Sequence, residues 1–282
     1  MKLARLGDPG LEKPVLITDA GTYDLSGIVP DLGPAAFATG GLARIRAAAE
    51  QGGLPEVADA ASLRVGSPIA RPGAIYCIGQ NYAAHAAESG NPPPHFPIVF
   101  LKPPNTVVGP YDEVDIPRGS ARADWEVELG IVIGEPALYL ESPDAAAAHI
   151  AGYVTADDLS ERDFQQTVSG GQWSKGKSAP GFAPLGPWFV TADEFDPSDV
   201  RLRSWVNGEP RQDSTSADMI FDVNVIVHHL SQYLALEPGD LILTGTPQGV
   251  AMSGNFPYLK AGDVVEIEVD GLGRQRTVFG QA

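Results

Sequence analysis

Short apolar runs of strand length recur along the chain between clusters of turn residues: Ile75 to Ile78, Ile98 to Leu101, Val127 to Ile133, Leu202 to Val206, Leu241 to Leu243 and Val264 to Val269. Each is predicted to be a strand. Gly152-Tyr153, Asn207-Gly208 and Pro238-Gly239-Asp240 mark turns. Helical spacing is clear over Ala217 to Leu234, where Met219, Val223, Ile226, Val227 and Leu230 share a face. Shorter helices are expected over Asn81 to Ser89 and Ser160 to Thr167. Upstream, Val15-Leu16-Ile17 and Tyr23-Asp24-Leu25 flank a turn at Asp19-Ala20-Gly21, and an Ala-rich helix follows near Leu42 to Glu50. Gly and Pro punctuation from Val65 to Gly73 predicts a boundary. The pattern therefore gives a small N-terminal α/β unit, residues 1–68, and a β-rich α+β domain, residues 69–282, with no internal repeat.

Composition narrows the class. With 282 residues, 43% hydrophobic and 20% charged, the chain can bury a sizeable core and is neither disordered nor fibrous. Its formal net charge of −17 argues against nucleic acid or an anionic membrane surface as partner, because both require clustered Lys and Arg. No apolar run has signal-peptide or membrane-spanning character, so a cytoplasmic protein is expected. Cys77 is the only cysteine, which excludes an internal disulfide and any Cys-based zinc site.

Candidate chemistry begins at Glu126-Val127-Glu128-Leu129. At strand period the two carboxylates fall on one face, roughly 6 to 7 Å apart, where they repel unless solvated or bridged. A cation between them and an exposed strand face are both solutions, and alternating Glu on a solvated strand is common. Asp157-Asp158 follows the apolar segment Ile150 to Val154, and an Asp at such an edge either caps the next helix or adds a third ligand. Three carboxylates without Cys or clustered His would select a hard cation such as Mg²⁺, Mn²⁺ or Ca²⁺. In a helix His85 and Glu88 face the same way, which fits an acid-base pair or an ordinary surface ion pair. Arg162, Gln165 and Lys177 read equally as exposed residues. Thr244-Gly245-Thr246-Pro247-Gln248-Gly249 ends a strand with small residues that let backbone N–H groups approach an anion.

In order along the chain these segments resemble the fumarylacetoacetate hydrolase family. The matching stretches are Ile78-Gly79-Gln80-Asn81-Tyr82 with His85 and Glu88, Phe100-Leu101-Lys102-Pro103, Asp124 to Leu129, Asp158 to Asp163, Gly176-Lys177-Ser178, Pro184 to Trp188, Val206-Asn207-Gly208, and Pro238-Gly239-Asp240 leading into Thr244 to Pro247. The resemblance implies a mixed β-sandwich roll, usually a homodimer, with Mg²⁺ or Mn²⁺ held at Glu126, Glu128 and Asp158. It implies an acid-base pair at His85 and Glu88 on a lid helix, and substrate or transition-state contacts at Arg162, Gln165, Lys177 and Thr246, with Lys102 counted among the substrate contacts. Two departures stand out: Asp157 where the family often has Asn, and Pro180-Gly181-Phe182 where it often has Asp-Thr-Phe.

Arg118-Gly119-Ser120 and Gly170-Gly171-Gln172-Trp173 also resemble a bacterial branch whose implied substrates include 2,4-diketo-3-deoxy sugar acids from rhamnose or fucose breakdown. The expected reaction is hydrolysis of the C3–C4 bond, giving pyruvate and a second acid such as lactate. Oxaloacetate decarboxylation, fumarylpyruvate or acylpyruvate hydrolysis, and isomerisation of an unsaturated keto acid use the same kind of site. From another class, the carboxylates could form a structural Ca²⁺ site in a binding domain.

Overall fold

A computed structural model describes residues 1–282. Its main strands in chain order are β1 (Lys2–Leu6), β2 (Lys13–Thr18), β3 (Gly21–Asp24), β4 (Ile75–Gly79), β5 (Ile98–Lys102), β6 (Val127–Ile133), β7 (Ile150–Asp157), β8 (Ala183–Thr191), β9 (Arg201–Val206), β10 (Glu209–Thr215), β11 (Leu241–Leu243), β12 (Val264–Val269) and β13 (Gly273–Gln281). All six strands predicted from apolar runs are present. The helices are α1 (Gly41–Gln51), α2 (Ala83–Glu88), α3 (Arg162–Gln166) and α4 (Val223–Ser231), with short 3₁₀ turns and the five-residue helix Pro34–Ala38 besides.

One eleven-stranded mixed sheet runs β3-β2-β1-β8-β7-β6-β11-β4-β5, with the two-residue strands Val65–Gly66 and Val107–Val108 pairing β1 and β8 off this path, and a five-stranded sheet runs β10-β9-β12-β13 to the short strand Val114–Ile116. Between them lies a core that takes Val127, Leu129, Ile131 and Ile133 from one face of β6, Leu202 and Val206 from β9, and Val265, Ile267 and Val269 from β12. Val132, on the opposite face of β6, packs instead with Leu3, Leu16, Phe37 and Ile45 of the N-terminal region. Period two therefore assigns Glu128 to the face of Val132 and away from the inter-sheet core. Both faces are covered, so all seven residues of β6 are buried, and the exposed-strand reading of the glutamates does not hold. Residues on either side of position 68 share this packing, and β1 pairs with β8 in the large sheet.

The helix expected over Ala217 to Leu234 is shorter than its apolar spacing. Asp222 caps α4 by accepting from Val225 N at 2.9 Å. The residues before it form a 3₁₀ turn, Ser216–Asp218, then a non-helical stretch tied to Asn81, which accepts from Phe221 N at 2.8 Å and donates to Phe221 O at 2.9 Å and Thr244 O at 2.8 Å. Those bonds outweigh helix propensity and join the ends of β4 and β11 to the start of α4. In α3 the cap is Glu161, accepting from Phe164 N at 2.6 Å, and neither Asp157 nor Asp158 caps it. The Ala-rich α2 stops at Gly90, whose φ of +77° suits glycine at a helix end, and Pro92 to Pro94 prevent continuation. No helix is long and apolar enough to cross a membrane.

Candidate active site

The carboxylates are set by adjacent antiparallel strands. In the β6–β7 register Val127 lies opposite Asp157 and Glu128 opposite Ala156. Glu126 N donates to Asp157 Oδ1 at 2.9 Å, and Asp158 N donates to Glu126 O at 3.0 Å. This doubled tie brings Asp158 beside the glutamates, and carboxylate oxygens of Glu126, Glu128 and Asp158 all lie within 4.8 Å of one another. All three residues are buried.

Three cations serve this cluster unequally. Lys177 Nζ bridges Glu126 Oε2 at 2.6 Å and Asp158 Oδ2 at 2.7 Å; Arg162 Nη2 reaches Glu126 Oε1 and Asp124 Oδ2, each at 2.7 Å. Lys102 Nζ donates to Asp158 Oδ1 at 2.5 Å and Leu159 O at 3.1 Å. Glu128 has no cationic partner and accepts only from Gly245 N, at 2.8 Å. Glycine is required at 245: φ is +96°, and a Cβ would meet the Asn81 Cβ at 2.7 Å.

Burial by itself would raise every one of these acids, and the neighbours decide the outcome. For Glu126, Lys177 and Arg162 outweigh burial and hold it well below the usual carboxylate range. Burial, with Asp158 and Glu126 alongside, pushes Glu128 well above that range. Asp157 is lifted to about 8, chiefly by burial. Lys177 is held above the usual lysine value because its two carboxylates overcome the cost of burial.

The cluster therefore has five buried carboxyl groups, Asp124, Glu126, Glu128, Asp157 and Asp158, against three buried cations, Lys102, Arg162 and Lys177. A divalent cation would supply the missing charge, and the all-oxygen donor set suits a hard ion. The residues fit such a metal: an acid without a counter-ion, aimed with two others at one point, is what a metal ligand requires.

Of these groups Glu126, Glu128, Arg162 and Lys177 open on a cleft of about 230 Å³, lined also by His85, Gln165, Thr246, Gln80, Ser89, Asn91, Gln166, Phe100, Trp173 and Met252, while Asp158 is buried outside its lining. His85 Nδ1 lies 2.9 Å from Glu88 Oε1, and Gly249 N donates to both Glu88 oxygens at 3.1 and 3.2 Å. Glu88 is thus anchored on two sides, which a surface ion pair is not. Lys102 is the predicted substrate contact that the structure keeps out of the cleft, because its ammonium is spent on Asp158 and fully buried. Thr246 lines the cleft, but its hydroxyl donates to Val127 O at 2.9 Å and accepts from Gln212 Nε2 at 2.7 Å. Arg162 also reaches Gln165 Oε1, at 3.0 Å.

Sequence reasoning passed over several residues that hold this site. Asp124 accepts from Arg162, Ala251 N and Met252 N. Gln212 fixes both Val127 N, at 3.1 Å, and Thr246. Glu161 accepts from Ser120 Oγ at 3.0 Å and Arg122 N at 3.2 Å, which gives the Arg118 to Ser120 segment a structural role. Trp173 packs over Gly79, where a Cβ would lie 2.3 Å from its ring, and against Phe100 at 5.7 Å.

A family model described as the C-terminal domain of fumarylacetoacetate (FAA) hydrolase matches residues 74–279. The chain belongs to the fumarylacetoacetate hydrolase family. It is a hydrolase of that family, similar over 281 residues to the 2,4-didehydro-3-deoxy-L-rhamnonate hydrolase of Sphingomonas sp. strain SKA58, with 45% identity covering 98% of this chain and 95% of that one. Among solved structures, fumarylacetoacetate hydrolase from Exiguobacterium antarcticum superposes with a TM-score of 0.83 at 31% identity, covering all of both chains. Maleylpyruvate hydrolase from Sphingobium sp. SYK-6, solved with manganese(II) and pyruvate, gives 0.79 at 26%, again over the whole of both chains. The mixed-sheet fold expected from the resemblance is the family's fold.

Two predictions follow from the charge imbalance. Glu128→Gln should remove Mn²⁺ binding while leaving the metal-free protein as stable as wild type or more so, since it deletes the uncompensated acid; thermal melts in chelator and in Mn²⁺ would read both, and a wild-type metal shift in the variant would exclude Glu128 as a ligand. For Asp157 the folded state binds the proton more tightly than the unfolded chain, whose value is near 3.8, so this residue's contribution is full below that pH and is lost as pH climbs to about 8. Metal-free Asp157→Asn should therefore gain on wild type across that window, by at least about 1 kcal/mol at its top, and denaturant titrations at pH 5 and 8 would measure the gap.

Proposed function

We propose that this enzyme hydrolyses the C3–C4 bond of a 2,4-diketo acid, with a 2,4-diketo-3-deoxy sugar acid such as the L-rhamnonate derivative as substrate, giving pyruvate and a second acid, lactate in that case. The observation that carries the reading is one cleft lined by Glu126, Glu128 and His85, with Asp158 within 4.8 Å of the glutamates and the anchored Glu88 bonded to His85 from behind. The named activity of the Sphingomonas relative, and the manganese and pyruvate bound by the Sphingobium enzyme, support it.

A Mg²⁺ or Mn²⁺ ion held by Glu126, Glu128 and Asp158 supplies Lewis-acid polarisation and a point of chelation for the 2-keto carboxylate. The chain's own groups do the rest. Glu88 fixes His85 with its proton on Nδ1, which leaves the Nε2 lone pair to take a proton from water. The hydroxide adds to C4, the C3–C4 bond breaks, and its electron pair passes to the pyruvate fragment as an enolate. Lys177, cationic and in the cleft lining, offsets that developing charge. Return of the proton from His85 to C3 completes pyruvate. Arg162 and Gln165 hold the Glu126 side of the cleft in register.

His85→Ala and Glu88→Ala should each lower kcat by roughly 10² to 10⁴ while sparing Mn²⁺ and pyruvate binding. Pyruvate release from diketo acids, coupled to lactate dehydrogenase, and carbon dioxide release from oxaloacetate would be measured side by side. Faster decarboxylation of oxaloacetate than hydrolysis of every diketo acid, with both variants unimpaired, would replace this reading with a decarboxylase.

A further inference from the structure

The cleft has two chemically different linings. Its cationic side chains, Arg162 and Lys177, are both committed to carboxylates, at 2.6 to 2.7 Å. Apart from those groups, Thr246 and the His85 imidazole, the polar lining consists of side-chain amides and a hydroxyl whose hydrogen-bonding capacity is largely unspent. Ser89 Oγ is buried without a partner. Gln166 Nε2 has only the thioether of Met252, at 2.9 Å, a weak acceptor. The Asn91 amide makes one long bond, 3.3 Å, to Ser89 O. Gln80 stands at φ +55°, a left-handed conformation unusual for a residue with a Cβ. The neighbouring Asn81, fully buried and bonded to Phe221 and Thr244, holds the backbone there. Sparsely populated backbone conformations cluster at ligand sites, and this one lies in the cleft wall.

We infer that Gln80, Ser89, Asn91 and Gln166 select a substrate whose tail beyond C4 carries hydroxyl groups and no second carboxylate. This rests on the diketo-acid reading above and narrows it. A terminal carboxylate entering this part of the cleft meets amides and a hydroxyl but no free guanidinium or ammonium, in a chain of net charge −17. A hydroxylated tail finds both donors and acceptors, and it supplies the unpartnered Ser89 hydroxyl with a bond. A site built to hydrogen-bond a substrate hydroxyl rejects the analogue lacking it far more strongly than an apolar pocket rejects a missing methylene.

The test uses the Mn²⁺-loaded enzyme and three substrates: a six-carbon 2,4-diketo-3-deoxy acid with a C5 hydroxyl, 2,4-diketohexanoate, and its analogue with a terminal carboxylate. The hydroxylated acid should lead 2,4-diketohexanoate by about 10² to 10⁴ in kcat/KM, with the dicarboxylate no better than the latter. Ser89→Ala and Gln166→Leu should each shrink the hydroxyl preference tenfold or more, mainly through KM, and Gln80→Arg should narrow the gap to the dicarboxylate; a retained Mn²⁺ melting shift verifies that each variant is folded. Equal kcat/KM for the three acids in wild type, a lead for the dicarboxylate, or losses in Ser89→Ala and Gln166→Leu that fall equally on all three would overturn the inference and leave the hydrolase reading standing. No pyruvate from any of the three, with carbon dioxide released from oxaloacetate, would remove the hydrolase reading and this inference with it.

Discussion

Unbalanced buried charge is the constraint on which the rest of this structure depends. An ionised carboxylate withdrawn from water without a partner costs several kcal/mol even after relaxation. Here Glu126, Glu128 and Asp158 are withdrawn together, and the three nearby cations leave Glu128 uncovered. Without metal the protein relieves the imbalance by favouring protons on Glu128 and Asp157. A metal ligated by Glu128 would require its carboxylate form, so under the proposed reading loading the site would release protons. Lys102 has its place in the same cluster: with its ammonium on Asp158, it holds that side chain in orientation without reaching the cleft.

Holding such a cluster demands a rigid frame, and the fold provides it by burying β6 on both faces. The side of β6 bearing Leu129 and Ile131 packs into the inter-sheet core, so the opposite side is fixed in direction and register. Cross-strand bonds then fix Asp158 to Glu126, Gly245 to Glu128, and Gln212 to the Val127 amide. The lid side is built differently. Six-residue α2 is tied to the strands at its two ends, by Asn81 at its base and by Glu88 reaching Gly249.

How much of this is legible in the sequence depends on how far apart the interacting residues lie. The strands with continuous apolar runs are readable because burial on both faces writes itself into consecutive residues. β8 is not, since Pro184, Gly186 and Pro187 break its run, and its order comes from pairing with β1 and β7. The helix before Val223 was over-read for a related reason: its apolar spacing is real, but Asn81, some 140 residues earlier, takes the backbone bonds a helix would need. Of the site, the carboxylate trio is legible as residue types at strand period. Its burial is not, because alternating glutamates fit a solvated face equally well, and only the packing of the N-terminal region decides between them. Gln212 carried no signal, being one polar residue in the polar strand β10.

The division of the cleft follows from the same charge constraint. Every cation that reaches the lining is needed to hold the carboxylates in place, and a lysine or arginine freed for a substrate tail would have to be added to the fold. Under the proposed diketo-acid reading, selectivity beyond C4 would fall to neutral groups, whose strength lies in discrimination between hydroxyl and hydrogen and not in attraction over distance. The His85–Glu88 pair, to which the proposed mechanism gives the proton transfer, is held by Gly249 N on both Glu88 oxygens, and a positive charge on the imidazole would join Lys177 and Arg162 in holding Glu126 low, so the pair and the carboxylate cluster are electrostatically linked.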